Sequence, residues 1–136
     1  METKFYKCPI CGNVIIKLCD SSVAVHCCGT TMIELKPNTQ ENVEILSEKH
    51  LPAVECPDKC SVKVKVGSAP HPMAENHSIK FIYLQTESGG QIRKLSPSNN
   101  PEAVFWTCLD RPVAVYAYCD VHGLFKTSIK NTSNKC

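Results

Sequence analysis

The sequence lacks any long apolar run and any strong imbalance of charge. No segment approaches the ~20 consecutive apolar residues of a membrane helix, and the start of the chain contains no apolar stretch of signal-peptide length. The net charge is +2, and the lysines are dispersed rather than gathered into a basic run. Neither a nucleic acid nor a membrane is therefore expected as a partner. These absences predict a cytoplasmic protein.

The sequence also lacks the periodicity of an amphipathic helix and shows no internal repeat. Instead, Val62, Val64 and Val66 alternate with lysines, as expected for a strand with one buried and one solvated face. Further runs rich in β-branched or aromatic residues are separated by turn-forming residues and span 78–86, 103–109, 113–119 and 124–129. Short strands at this spacing predict an all-β fold, an antiparallel β-sandwich.

Cysteine, in contrast, is abundant, with ten residues in 136. Two pairs near the N-terminus, Cys8 with Cys11 and Cys27 with Cys28, predict a tetrahedral sulfur site for zinc or iron. Each pair is followed by a glycine, which can adopt positive φ and let backbone amides point at the sulfurs. Two disulfides are less favoured, because adjacent cysteines bond to each other only with strain and no secretory context supports oxidation.

The chain divides into two predicted parts. Residues 1–36 carry the four thiols and too little apolar content for a core of their own, so a metal is expected to supply much of their folding energy. Residues 37–46 are polar, contain Pro37 and are predicted to form a linker. Residues 47–136 contain the predicted β-sandwich.

Four of the five histidines fall into three short clusters: Glu48-Lys49-His50, His71 to His77, and Cys119 to His122. Four imidazoles and one thiolate exceed the four ligands of a structural zinc site and favour a metal that accepts five or six, such as iron. Iron held by all five would keep one position for a small reactant. The alternative is that these histidines are unrelated surface or core residues. His26 lies outside the clusters and is predicted to be exposed, with replacement of a thiolate ligand as the less favoured alternative.

These motifs together resemble the desulfoferrodoxin family, the two-iron superoxide reductases. The similarity rests on the two cysteine pairs, on Glu48-Lys49-His50, on residues 66–73 running on to His77, and on residues 118–126. It implies a desulforedoxin-like Fe(Cys)4 domain followed by a neelaredoxin-like catalytic domain with an immunoglobulin-like β-sandwich fold. In the catalytic domain it implies ferrous iron with Cys119 as its axial ligand and with four equatorial ligands, His50, His71, His77 and His122.

The resemblance also implies an activity, the one-electron reduction of superoxide to hydrogen peroxide with electrons from an external donor such as rubredoxin. It gives Lys49 the role of attracting superoxide and stabilising the peroxide that forms, and Glu48 the role of a sixth ligand to the ferric ion after turnover. A homodimer is expected on the same basis. Rival interpretations are an electron carrier without a substrate and a zinc-ribbon interaction module.

Five further cysteines are not required by the family pattern. Cys56 and Cys60 flank a predicted hairpin turn and could reach disulfide distance, although free thiols are the more conservative prediction for a cytoplasmic protein. Cys136 could cross-link molecules after lysis. The sequence assigns no role to the other two, Cys19 and Cys108.

Overall fold

A computed structural model of the chain describes residues 2–39, 50–67 and 71–130. Within these ranges the protein forms strands β1 to β12 and no helix, which confirms the predicted all-β class. Accordingly, the described part of the chain offers no helix long and apolar enough to cross a membrane. The chain divides into two compact units, residues 1–36 and 37–136, which are described separately below.

Unit 1 consists of two small antiparallel sheets. Its three-stranded sheet has the order β2-β1-β5, and a two-stranded hairpin joins β3 to β4. Few apolar side chains of this unit are buried, namely Phe5, Cys8 and Met32 among its described residues. The strands are β1 (Phe5–Lys7), β2 (Val14–Ile16), β3 (His26–Cys27), β4 (Thr30–Thr31) and β5 (Ile33–Leu35).

Unit 2 contains two antiparallel sheets that share one core. The three-stranded sheet has the order β10-β7-β6, and the four-stranded sheet has the order β12-β11-β8-β9. Their strands are β6 (Pro52–Asp58), β7 (Ser61–Val66), β8 (Ile79–Thr86), β9 (Gly90–Lys94), β10 (Glu102–Trp106), β11 (Pro112–Cys119) and β12 (Gly123–Ser128).

The core of unit 2 lies between these sheets. Val62, Val64 and Val66 of β7 are buried, as their alternation predicted, and they join a cluster with Ile82 and Val115 of the other sheet. Burial of apolar side chains from both sheets is the main stabilising term of such a sandwich. Unit 2 therefore has an extensive apolar core of its own, which Cys119 also joins.

Three details of the chain differ from, or extend, the sequence-based expectations. Strand β9 and the short strands of unit 1 are not among the predicted runs. The prediction of a free thiol at Cys60 and its alternative pairing with Cys56 are both wrong, because Cys60 forms a disulfide with Cys108, whose Cα lies 4.2 Å away. In the segment predicted as a linker, the Asn38 amide donates to the Leu124 carbonyl of β12 at 2.8 Å. The rest of that segment, from residue 40, lies outside the described residues.

Candidate metal centres

The four cysteines of unit 1 converge on one point. Their sulfur atoms all lie within 4.8 Å of one another, and Cys11 Sγ is 3.6 Å from Cys27 Sγ. Cys8 is buried, whereas Cys11 and Cys28 are exposed. Four sulfurs at this spacing form the donor set of a tetrahedral thiolate site.

Local backbone geometry explains why the sulfurs meet. Gly12 and Gly29 adopt positive φ values of 80° and 71°, and Cys28 also lies in the left-handed region with φ of 53°. The turn that ends at Gly12 lets the Cys11 amide donate to Cys8 Sγ at 3.5 Å. Only glycine adopts such a conformation without strain from a side chain, so the two glycines allow each cysteine pair to fold back.

The sulfurs differ in proton affinity because they are so close. The amide of Cys11 lowers the pKa of Cys8 to about 6, whereas hydrogen bonds to the sulfurs of Cys11 and Cys8 raise the pKa of Cys28 to about 12. Hydrogen bonding to Cys11 also raises the pKa of Cys27. Four thiolates this close repel one another, so their joint ionisation requires a bound cation, which fits a metal centre.

Two neighbouring residues of unit 1 lie apart from this group. His26 is exposed, and its Nε2 lies 3.4 Å from Thr31 Oγ1. Cys19 is an exposed free thiol in the segment between β2 and β3. Among the described residues the donor group contains four sulfurs and no imidazole.

A second donor group forms at one end of the sandwich. Antiparallel pairing sets Pro52, at the start of β6, beside Val66, at the end of β7. It likewise sets Cys119, at the end of β11, beside Ile79 of β8 and Gly123 of β12. The predicted ligands flank these strand ends, so one rigid scaffold presents all of them.

The donor atoms of His50, His71, His77 and Cys119 lie within 4.8 Å of one another. His50, His71 and Cys119 are buried, and His77 is half-buried. The exposed His122 adjoins this group, with its ring centroid 4.5 Å from that of His50 and its Nδ1 3.8 Å from Cys119 Sγ. The fifth predicted ligand, His122, is therefore not one of the four residues whose donor atoms lie within 4.8 Å of one another, although its ring lies beside them.

Hydrogen bonds orient two of the imidazoles. His71 Nδ1 lies 2.7 Å from the Pro72 carbonyl, so this nitrogen carries the proton and Nε2 holds a lone pair. His77 closes a tight turn in which its amide and that of Ala74 each donate to the other's carbonyl, at 3.2 and 2.9 Å. The Nε2 atoms of His71 and His77 are buried without a hydrogen-bond partner among the described residues. Buried nitrogens of this kind suit a metal ligand.

Burial sets the charge state of the group. It lowers the pKa of His71, which favours the neutral imidazole that binds metals. It raises the pKa of the Cys119 thiol, although the amides of His122 and Val121 oppose the rise. A bound cation would favour the thiolate and so couple metal binding to proton release.

One contact of this group was not among the sequence-based predictions. Phe125 of β12 is buried and stacks on the His50 ring, with centroids 4.8 Å apart and planes 16° apart. The sequence feature that could have indicated this contact is the position of Phe125 in an apolar run, three residues after His122. Glu48, Lys49 and Cys136 lie outside the described residues.

The fold and these two groups define an all-β protein with a thiolate centre and a mixed imidazole and thiolate centre. Residues 42–128 match the sequence profile of the desulfoferrodoxin family. The desulfoferrodoxin of Syntrophotalea carbinolica is 38% identical over 126 residues, which cover 93% of this chain and 96% of that protein. The chain belongs to the desulfoferrodoxin family.

Solved structures agree with this assignment. The superoxide reductase from Treponema pallidum is 29% identical, with a TM-score of 0.78 and coverage of 93% of this chain and 98% of that one. The superoxide reductase (neelaredoxin) from Ignicoccus hospitalis is 30% identical, with a TM-score of 0.53 and coverage of 68% and 92%. Family membership and the two donor groups together support two iron sites in this chain.

Proposed function

We propose that this protein is a superoxide reductase, which converts superoxide to hydrogen peroxide by one-electron reduction at the histidine and cysteine centre. The observation that carries the proposal is the convergence of His50, His71, His77 and Cys119 at the end of the sandwich. The buried Nε2 atoms of His71 and His77 have no hydrogen-bond partner in the described parts of the chain, which supports a metal there. Solved superoxide reductases share the fold.

We assign iron to this centre, with His122 as a fifth ligand beside the four donors that meet within 4.8 Å, His50, His71, His77 and Cys119. Five protein ligands are more than tetrahedral zinc accepts, whereas iron accepts five or six. Bound ferrous iron would supply one electron to superoxide, which takes up two protons to become hydrogen peroxide. As a ligand, the buried Cys119 would be a thiolate and would push electron density toward the metal, as thiolate ligands do in haem proteins.

Two residues next to His50 complete the proposed site. The Lys49 ammonium would attract the superoxide anion and stabilise negative charge as peroxide forms. Glu48 would approach the metal in its oxidised state, since a carboxylate oxygen suits the harder ferric ion. Both roles come from the family motif Glu48-Lys49-His50 in the sequence.

The centre of unit 1 is assigned to a second iron, held by Cys8, Cys11, Cys27 and Cys28. Its four-sulfur donor set suits an ion that changes oxidation state without changing geometry. Electrons would come from a donor protein such as rubredoxin. A cytoplasmic homodimer completes the proposal.

The ratio of products tests this function against a dismutase. A dismutase both reduces and oxidises superoxide, so it releases oxygen and forms half as much peroxide. The thiolate and Glu48 favour the oxidised metal and disfavour oxidation of a second superoxide. We expect one peroxide for each superoxide consumed and one electron taken from the donor each time, measured by mixing the reduced protein with superoxide.

Two controls make the measurement decisive. Without a donor, the fully reduced protein should consume at most about two equivalents of superoxide per chain, one for each ferrous iron, and then stop. Continued turnover with oxygen evolution in the absence of donor would refute the reductase assignment. An electron carrier without substrate access would form no peroxide at all.

A further inference from the structure

Asp120 ties together two segments that carry ligands of the catalytic centre. It follows Cys119 directly, and its Oδ1 accepts a hydrogen bond from the amide of Ser78, the residue after His77, at 2.9 Å. In return the Asp120 amide donates to the Ser78 carbonyl at 3.3 Å. This reciprocal pair fixes the start of β8 against the β11–β12 turn.

A β-bulge brings a cation to the same carboxylate. The pairing of β11 with β8 passes from Tyr118 opposite Phe81 to Cys119 opposite Ile79, which makes Lys80 the extra residue of β8. A bulge redirects side chains and ends regular pairing, and bulges are frequent beside active sites. Lys80 Nζ lies 3.3 Å from Asp120 Oδ2, and both side chains are partly exposed.

Both neighbours of the carboxylate favour its charged form, because the Ser78 amide donates to Oδ1 at 2.9 Å and Lys80 Nζ lies 3.3 Å from Oδ2. Asp120 therefore places a negative charge on the residue that directly follows Cys119, and the Lys80 charge opposes it. A partly exposed ion pair contributes little to the stability of the fold. The pair of Lys80 and Asp120 therefore matters mainly because its charges lie close to Cys119.

We propose that Asp120 is a positioning residue for His77 and Cys119, and that Lys80 balances its charge beside the thiolate. The inference rests on the proposed function only in taking these two residues as iron ligands. Side chains that orient metal ligands through hydrogen bonds influence both metal retention and redox potential. These two effects can be measured separately, because metal retention depends on the hydrogen bond and redox potential depends on the charge.

Three variants separate the hydrogen bond from the charge. Asp120→Ala removes both, whereas Asp120→Asn keeps an oxygen that accepts from the Ser78 amide but removes the charge. Lys80→Met removes only the opposing charge. Ser78→Ala is the matched control, because it keeps the amide that donates to Asp120 and removes a hydroxyl that has no hydrogen-bond partner among the described residues.

Iron retention is the first measurement. Loss of the catalytic iron to a chelator is followed in the full-length protein through the thiolate-to-ferric absorption band of that centre. Asp120→Ala should weaken iron binding by about 10–100-fold, the usual effect of losing such a supporting hydrogen bond. Asp120→Asn and Ser78→Ala should retain iron as the wild type does. Wild-type retention in Asp120→Ala would overturn the positioning role.

The midpoint potential of the same iron is the second measurement. Asp120→Asn should raise it, because removal of a negative charge favours the ferrous state, and Lys80→Met should lower it. The double variant with Asp120→Asn and Lys80→Met should have a midpoint potential close to that of the wild type. This series still decides the question if Asp120→Ala fails to fold, and unchanged potentials would refute the charge balance. A wild-type protein that fails to reduce superoxide would instead refute the proposed function, since neither measurement depends on turnover.

Discussion

Loss of the unit 1 metal should unfold unit 1 alone, and Cys11→Ser is the substitution that tests this. Cys11 is exposed, so the replacement leaves no cavity, but it removes one of the four sulfurs that meet within 4.8 Å. Serine is a poor ligand for this type of centre. The variant should therefore lose the unit 1 iron and its colour.

The structure indicates how large the effect on unit 1 should be. Apart from the ligand Cys8, only Phe5 and Met32 are buried apolar side chains among the described residues of this unit. Burial of such side chains contributes about 1.5–3 kcal/mol each. For comparison, zinc binding to small structural sites of zinc-finger peptides contributes on the order of 10–16 kcal/mol. The lost term thus exceeds what the small core supplies, and unit 1 should not remain folded.

Amide hydrogen exchange and visible absorption together measure the outcome. Amides that bond within unit 1, such as Cys8 to Asn13 and Met32 to Val25, should lose protection. Amides of β8 and β11 should keep theirs, because unit 2 has its own core. Cys19→Ser is the control, since this exposed cysteine lies outside the sulfur group. Loss of both irons, or persistent protection in unit 1, would refute the reasoning.

Two further predictions concern the core of unit 2 and the charge near the catalytic centre. Ile82 is fully buried, so Ile82→Ala should destabilise the protein by about 2–5 kcal/mol in denaturant unfolding, whereas the half-exposed Ile92→Ala should change stability by only about 0.5 kcal/mol. Lys49→Ala should slow the reaction with superoxide and weaken its dependence on ionic strength, while Glu48→Ala should change the ferric spectrum more than the encounter rate. Unchanged kinetics and salt response in the Lys49 variant would make that lysine an ordinary surface charge.

Strands with a clear apolar pattern were predictable from the sequence, and exposed edge strands were not. β7 shows its buried valines at every second position, and the structure has the strand there. β9 is a mostly exposed edge strand that pairs only with β8. Its first residue, Gly90, follows Gly89, and two adjacent glycines usually indicate a turn rather than a strand. β10 ends at Trp106 rather than at residue 109, because Leu109 adopts φ of 67° in the turn that follows.

The donor groups were predictable to the extent that their residues cluster in the sequence. Cys8 and Cys11 are close neighbours, as are His71 and His77, and both members of each pair enter the same donor group. The contact between Asp120 and Ser78, which are 42 residues apart, was not predictable, because it depends on the β-bulge that shifts the register of β11 against β8. The Cys60–Cys108 disulfide spans 48 residues and depends in the same way on the pairing of β10 with β7.

The two donor groups differ in whether the metal or the surrounding fold organises the site. In unit 1 the sulfurs are partly exposed and the core is minimal, so the metal organises the chain. In unit 2 the donors are mostly buried at the end of a sandwich with its own core, so the chain organises the metal site before the metal binds. Chelation should therefore have different consequences for the two centres. Unit 2 should take up iron again without refolding, whereas unit 1 must fold and bind in a single coupled step.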